Sequence, residues 1–282
     1  MSPAPQQSAP RRIALVQLAS PDSETREERI ARVEALLMQH PGADLYVLPE
    51  LWSPGYFSFE RYDELAEALT GPTVEMGRRV ARALGAAIHL GSIVERGEDG
   101  ALSNTAVMIG ADGRIAQTYR KIHVFGYQSL EAELLTAGTT LSVVPGLLGM
   151  TASTTCYDLR FPGLWQEMSA RGAEAVIVPA AWPAARREHW RALSTARAIE
   201  HQVWVVAVNA CGRQGDVELG GFSRLVDPSG RVLAECGDAE EVRIVEVDPA
   251  RVAAVRSEFP VIADRLDAAA YGELAADSGA EA

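Results

Sequence analysis

The apolar run GMTASTTC ends on Cys156, and a charged turn with Tyr157, Asp158 and Arg160 follows at once. Two other strand-like runs close on groups that hold a charge or move a proton: DLYVLPE on Glu50 and RIAQTYRK on Lys121. A free thiol, with a pKa of roughly 8.5, is only partly ionised at neutral pH. A carboxylate within hydrogen-bonding reach can remove its proton, and a fixed ammonium favours the thiolate. Each residue also has an ordinary use, as a small buried hydrophobe, a solvated turn acid or an edge-blunting lysine. Their coincidence at three strand ends makes Cys156 a candidate nucleophile. If the three strands are neighbours in one sheet, the side chains meet at one rim, where α/β proteins place their sites. No GxSxG, GxGxxG, Walker loop, CxxC or HExxH occurs, and the five histidines are scattered, which argues against a zinc site and against a Cys–His hydrolase.

The elements that must carry these residues alternate along the chain. RIALVQLAS reads as a buried strand, and ETREERIARVEALLMQH as a helix with Ile30, Val33 and Leu37 on one side. Thr73 to Leu84 is a second helix. AAIHLGSIVER and NTAVMIG are strands, and ADG at 111–113 is a hairpin turn before the strand that leads to Lys121. After Cys156 come the helix FPGLWQEMSARG, the strand AEAVIVPAAW, a helix from Arg187 to Gln202 and the strand VWVVAVNACG. A hairpin about DPSG and a final strand and short helix in EVRIVEVDPARVAAVRSEF complete the pattern. Parallel units and hairpins together predict a mixed sheet, or a pair of sheets, covered by helices. No internal repeat or interdomain linker is visible.

The chain has 282 residues, 48% of them hydrophobic and 23% charged, the balance of an ordinary globular protein. A formal net charge of −12 argues against nucleic acid or an anionic membrane as the main partner, and no apolar run spans a bilayer. Residues 1–10, rich in Pro, Ser and Gln, read as a disordered leader. Residues 11–267 read as one domain, and 268–282 as a mobile tail or subunit contact. Three widely spaced cysteines, Cys156, Cys211 and Cys236, fit a reducing cytoplasm better than a disulfide framework.

VLPE at Glu50, YRKIHVFG around Lys121 and TTCYDLRFP around Cys156, in this order, resemble the nitrilase or carbon–nitrogen hydrolase superfamily. PAAW at 179–182, EHWRALSTARAIEHQVWVVAVNACG at 188–212 and VDPSGRVLAE at 226–235 extend the likeness from about Arg12 to Leu266. The resemblance implies an α-β-β-α sandwich of two mixed sheets, assembled as a homodimer. It implies that Glu50 is the general base, Lys121 stabilises the oxyanion and Cys156 is the nucleophile. A further glutamate between Lys121 and Cys156 falls at Glu131, seven positions before Gly138, with Glu133 as the alternative. On this reading a small amide acylates Cys156, ammonia leaves and water hydrolyses the thioester. The backbone N–H of Tyr157 completes the oxyanion site, and no metal or cofactor is needed.

CYDLRFP, PAAWP…REHW and ARAIEHQVWVVAVN most resemble the branch that hydrolyses small amides of dicarboxylic acids, ω-amidases among them. Tyr56, Tyr157 and Trp182 are candidate pocket walls, and Arg160 a candidate clamp for a substrate carboxylate, although Asp158 and Arg160 both suit bracing of the turn better. His189 and Trp190 start a helix where they can frame the pocket, with helix packing the favoured reading. The chain departs from the family in GFSRLVDPSG, where Phe222 and Ser229 replace a frequent His and Trp, and in a compact GYQSLEAE segment; both bear on substrate identity. The alternatives are an N-carbamoyl or aliphatic amide hydrolase, a nitrilase, a thiol redox sensor centred on Cys156, and a binding protein that keeps the fold without turnover.

Overall fold

In the computed structural model, which describes residues 9–266 and Ala270, two six-stranded sheets are built to one plan. The first half of the chain supplies β1 (Arg11–Gln17), β2 (Leu45–Val47), β3 (Ala87–Arg96), β4 (Leu102–Ile109) and β5 (Ile115–Arg120). The second supplies β6 (Val143–Gly146), β7 (Gly149–Ser153), β8 (Ala175–Ala180) and β9 (Trp204–Asn209). A two-stranded ribbon, β10 (Cys211–Gln214) and β11 (Val217–Gly220), precedes β12 (Arg224–Val226), β13 (Val232–Glu235) and β14 (Glu241–Val247). Strands β1, β2 and β3 run parallel, continue antiparallel into β4 and β5, and are edged by β14. Likewise β7, β8 and β9 run parallel, continue into β12 and β13, and are edged by β6. The repeat lies in strand pairing alone, which explains why no sequence repeat announces it.

The helices are α1 (Arg26–Gln39), α2 (Tyr62–Leu65), α3 (Pro72–Leu84), α4 (Glu131–Leu134), α5 (Pro162–Ala170), α6 (Arg187–His201) and α7 (Arg251–Glu258). Side chains alternate across a strand, and the parallel strands use both faces. Ala14 and Val16 join Ile30, Val33 and Leu37 of α1 and Val80 of α3 in one core. Their neighbours Ile13 and Leu15 face Ile177, Trp204 and Val206 of the second sheet in another. Beyond that sheet, Val176 and Val178 pack on Trp165, Met168 and Trp190 of α5 and α6. The layers are therefore helix, sheet, sheet, helix. Near-continuous apolar runs such as AVIVPA follow from burial on both faces.

Start and stop signals match the local structure. Thr25 caps α1 in a reciprocal capping box with Glu28, Pro72 opens α3 and left-handed Gly85 closes it. The ADG hairpin joins β4 to β5, and Asp227 accepts from the N–H groups of Ser229 and Arg231 to fold the DPSG turn. The short α4 and the β10–β11 ribbon were not foreseen from the sequence. The leader, apart from Ala9 and Pro10, and the proposed tail, apart from Ala270, lie outside the described residues. Among those described, no helix is long and apolar enough to cross a membrane.

Candidate active site

Glu50, Lys121 and Cys156 come together, though not at the rim of a single sheet. Glu50 follows β2 and Lys121 follows β5 in the first sheet, whereas Cys156 lies three residues beyond β7 in the second. The expectation of neighbouring strands is thus corrected: the site forms where the ends of two facing sheets are stitched together. The Glu50 N–H donates to Ala180 O at 3.4 Å, and the Ala181 N–H donates back to Glu50 Oε2 at 2.9 Å.

The acid is placed by a close backbone approach. Strand β3 is irregular between His89 and Ser92, and Gly91 sits there at φ +68°. A Cβ on Gly91 would lie 1.7 Å from the Pro49 carbonyl oxygen, so only glycine lets the chain before Glu50 pass. Leu51, at φ +43°, then donates its N–H to Ser92 Oγ at 3.1 Å. Lys121 is fixed by its own N–H to Asn104 O at 2.9 Å. Its Nζ donates to Glu50 Oε1 at 2.9 Å and to Glu131 Oε1 and Oε2 at 2.9 and 3.0 Å, with all three side chains buried.

Glu131, not Glu133, is the second acid at this site. Glu131 is 0% exposed and accepts from Tyr56 OH at 2.8 Å, Asn104 Nδ2 at 3.0 Å and Phe125 N at 3.1 Å. Glu133, two residues further along α4, points to solvent. Although both buried carboxylates touch Lys121, their proton affinities part. Burial raises both, but Lys121 and the donors from Asn104 and Tyr56 outweigh it at Glu131, which is held below the usual carboxylate range. At Glu50 burial prevails over Lys121, with repulsion from Glu131 adding to it, and the pKa rises. The number of donors to Glu131 supports this order. Burial opposes the charge on Lys121 too, but Glu131 and Glu50 overcome it and raise its pKa, so it stays an ammonium.

Cys156 opens a 3₁₀ turn, Cys156–Arg160, at φ +48°, an uncommon conformation for a side chain with a Cβ. Asp158 holds that turn. Its Oδ2 accepts from Thr155 N at 3.0 Å and Tyr119 OH at 2.7 Å, and its Oδ1 accepts from His123 N at 2.9 Å, with His123 Nδ1 2.8 Å away. Tyr119 and His123 flank Lys121 by two residues on either side, so one buried carboxylate ties the thiol's turn to the lysine's strand. The thiol lies within electrostatic reach of Glu50 and Lys121. Burial, then the Glu50 charge, pushes its pKa well up, and Lys121 offsets only part of this. The lysine therefore does not make a resting thiolate; the thiol keeps its proton until a base takes it.

The cysteine is 8% exposed and opens on a cavity of about 380 Å³. Tyr56, Tyr157, Arg160 and Trp182 line it, as do Arg186 and His189. Arg160 does not brace the turn: its guanidinium lies 4.5 Å from the Trp182 ring centroid and its Nη2 lies 3.2 Å from His189 Nδ1. His189 thus belongs to the cavity, while Trp190 packs in the core and donates to Phe222 O. Phe222, one of the departures from the family pattern, lies under Arg187 and Arg191 at 4.3 and 4.4 Å. Asn209 fixes the backbone of Trp182, accepting its N–H at 2.6 Å and donating to its carbonyl at 3.2 Å. Arg186, Asn209 and Asn104 escaped the sequence reading. For the last, the only signal was a polar residue opening the apolar run NTAVMIG.

The model of the family described as carbon–nitrogen hydrolase matches residues 12–257. The chain is 38% identical over 260 residues to a protein named 2-oxoglutaramate amidase from Paenarthrobacter nicotinovorans, covering 90% of this chain and 88% of that one. It is 30% identical over 269 residues to Omega-amidase NIT3 of Saccharomyces cerevisiae, covering 90% and 92%. The crystal structure of Saccharomyces cerevisiae Nit3, a member of branch 10 of the nitrilase superfamily, superposes with a TM-score of 0.79 at 28% identity. That match covers 90% of this chain and 96% of the other.

Proposed function

Because the chain belongs to the carbon–nitrogen hydrolase family and is an amidase of the ω-amidase-like branch, we propose that it hydrolyses the ω-amide of a 2-oxo dicarboxylic acid, of the 2-oxoglutaramate type, through a thioester on Cys156. The observation that carries this reading is one cavity lined by Cys156 and by two guanidinium groups, Arg160 and Arg186, with the buried Glu50–Lys121 pair beside the cysteine. A substrate with an amide at one end and a carboxylate at the other complements the two sets of groups. The cavity volume lies within the range usual for small-molecule sites.

The steps follow from the proton inventory. Cys156 Sγ attacks the amide carbon while its proton passes to Glu50, on Oε2, because Oε1 already accepts from both Lys121 and Asn104 whereas Oε2 accepts only from the Ala181 N–H. The oxyanion is stabilised by Lys121 Nζ and the Tyr157 N–H; losing one such donor typically costs about 3–4 kcal/mol. The tetrahedral species collapses, Glu50 returns the proton to the departing nitrogen, and ammonia leaves a thioester. Glu50 then takes a proton from water as the oxygen attacks the thioester carbon. Collapse releases the carboxylic acid, and Glu50 gives that proton back to the sulfur. A carboxylate with raised proton affinity beside one held ionised divides the labour, with Glu50 shuttling the proton and Glu131 serving as fixed counter-ion to Lys121.

The protein works in the cytoplasm on this reading, where its three free, buried cysteines stay reduced. It works as a homodimer, for which exposed Ile199, Phe259, Val261 and Leu266 offer apolar contact. The test is ammonia release from 2-oxoglutaramate compared with an uncharged amide of the same length. We expect kcat/KM higher by about 100-fold for the carboxylate-bearing amide, with most of that preference lost in Arg160→Gln. Equal rates on both amides would remove the carboxylate from the reading.

A further inference from the structure

We propose that Asn104 is a positioning residue that pins one oxygen of each catalytic carboxylate, so that Glu50 takes the thiol's proton on its other oxygen and Lys121 keeps one N–H for the oxyanion. This inference rests on the roles given above to Glu50 and Lys121. Asn104 lies on β4, 1% exposed, and its Nδ2 donates to Glu50 Oε1 at 2.7 Å and to Glu131 Oε1 at 3.0 Å. Lys121 Nζ donates to the same two oxygens, both at 2.9 Å, its contact to Glu131 extending to Oε2 at 3.0 Å. Two donors and two acceptors thus close a four-atom ring of nitrogen and oxygen.

The hydrogen count gives the ring its consequence. An amide nitrogen has two hydrogens and an ammonium three. Asn104 spends both of its own on the two carboxylates. Lys121 spends one on Glu50 Oε1 and shares one between Oε1 and Oε2 of Glu131, at 2.9 and 3.0 Å, and a third remains for the substrate. Without Asn104 the two carboxylates are held together by the lysine alone. The side-chain oxygen Asn104 Oδ1 is buried with no hydrogen-bond partner, an arrangement that costs stability. Both neighbours of Nδ2 are acceptors, so the amide is oriented by the carboxylates at the expense of its own oxygen.

The groups around Glu50 are Lys121 after β5, Glu131 on α4, Cys156 after β7, and Tyr56 and Tyr62 in the segment after β2. Removing Asn104 takes a donor from Glu50 in its ionised form. That raises its proton affinity further, so the base is protonated, and useless for attack, up to a higher pH. Tyr56 and Tyr62 stay neutral in the working range, their pKa values raised by burial.

The experiment is the pH dependence of kcat and KM for Asn104→Ala and the isosteric Asn104→Asp, beside acylation of Cys156 in the wild type followed by intact mass. For Asn104→Ala we expect kcat lower on the order of 10²-fold, KM little changed, and the acid limb moved up by about one pH unit. Asn104→Asp places a third carboxylate in the ring and should lose more at neutral pH, recovering in part as the pH falls and the new carboxyl regains a hydrogen to donate. An unmoved acid limb in Asn104→Ala, or a loss confined to KM, overturns the assignment. If Asn104→Ala does not fold, a wild-type pH profile in Asn104→Asp overturns it equally. Failure of the wild type to acylate Cys156 would instead refute the catalytic reading on which the inference rests.

Discussion

The two sheets share one strand plan and contribute to the site by different means. The first delivers charge: Glu50, Lys121 and, beside them, Glu131 and Asn104 form a closed set of hydrogen bonds with no solvent contact. The second delivers shape: Cys156 is held by a left-handed backbone on a 3₁₀ turn, and Trp182 and Arg160 wall the cavity. Residues after the middle strands, Glu50 after β2 and Ala181 after β8, hydrogen-bond to each other across the join. A buried charged network holds its geometry when its charged members are satisfied, as Glu50, Lys121 and Glu131 are here, whereas a backbone turn needs only the right φ. The proton chemistry therefore sits on the side where the charges are paired, and the nucleophile and specificity wall sit on the side open to substrate.

Breaking the charged side should cost most. Lys121→Ala leaves Glu50 and Glu131 buried without their cation, a change worth about 3–5 kcal/mol of stability, and kcat should fall by at least 10³-fold. Its pH dependence carries a sign. In the wild type Glu131, held below its ordinary value, contributes stability above that value and loses it as the pH falls through its lower folded pKa. In Lys121→Ala burial pushes both carboxylates up, so the variant should be most stable in acid and weaken as the pH rises. Melting temperatures across pH check this; a variant that melts higher at neutral than at acid pH contradicts it.

The join between the two sides is tested by Asp158→Asn, which exchanges a four-fold acceptor for a group that cannot satisfy Thr155, Tyr119 and His123 together. Stability should fall by about 1–3 kcal/mol. With the sulfur displaced from the lysine's strand, kcat should fall on the order of 10²-fold. Thermal denaturation and steady-state rates measure the pair, and a stability loss with unchanged kcat would mean that the join does not set the sulfur's position. The smallest effect belongs to Glu133→Gln, whose solvent-facing carboxyl should matter by less than about 0.5 kcal/mol in either stability or activation. A larger loss would return the second acid to Glu133.

Much of this was legible in the chain. Apolar runs such as AVIVPA announced strands buried on both faces, and the Ile30, Val33, Leu37 spacing announced α1, because burial on two faces and helical period both write themselves locally. Glu50, Lys121 and Cys156 were legible because their motifs run continuously around them, whereas the second glutamate came only from the family pattern and stood open between Glu131 and Glu133. What stayed hidden depended on packing across the join. Asn104 touches carboxylates 54 and 27 positions away, and Asp158 reaches 39 positions back to Tyr119. His189 faces the cavity only because Arg160 and Trp182 stand opposite it. The proton affinity of the thiol depends on packing in the same way: Lys121 favours the thiolate, but burial and the charge of Glu50 outweigh it.

The most direct test is a rapid-quench experiment with excess 2-oxoglutaramate, following ammonia and the intact mass of the protein together. The account predicts a covalent adduct of the acyl group on Cys156 and its absence in Cys156→Ala, which should fold but release no ammonia. Turnover without any adduct, or an adduct that persists when Cys156 is replaced, would contradict a thioester formed on that sulfur.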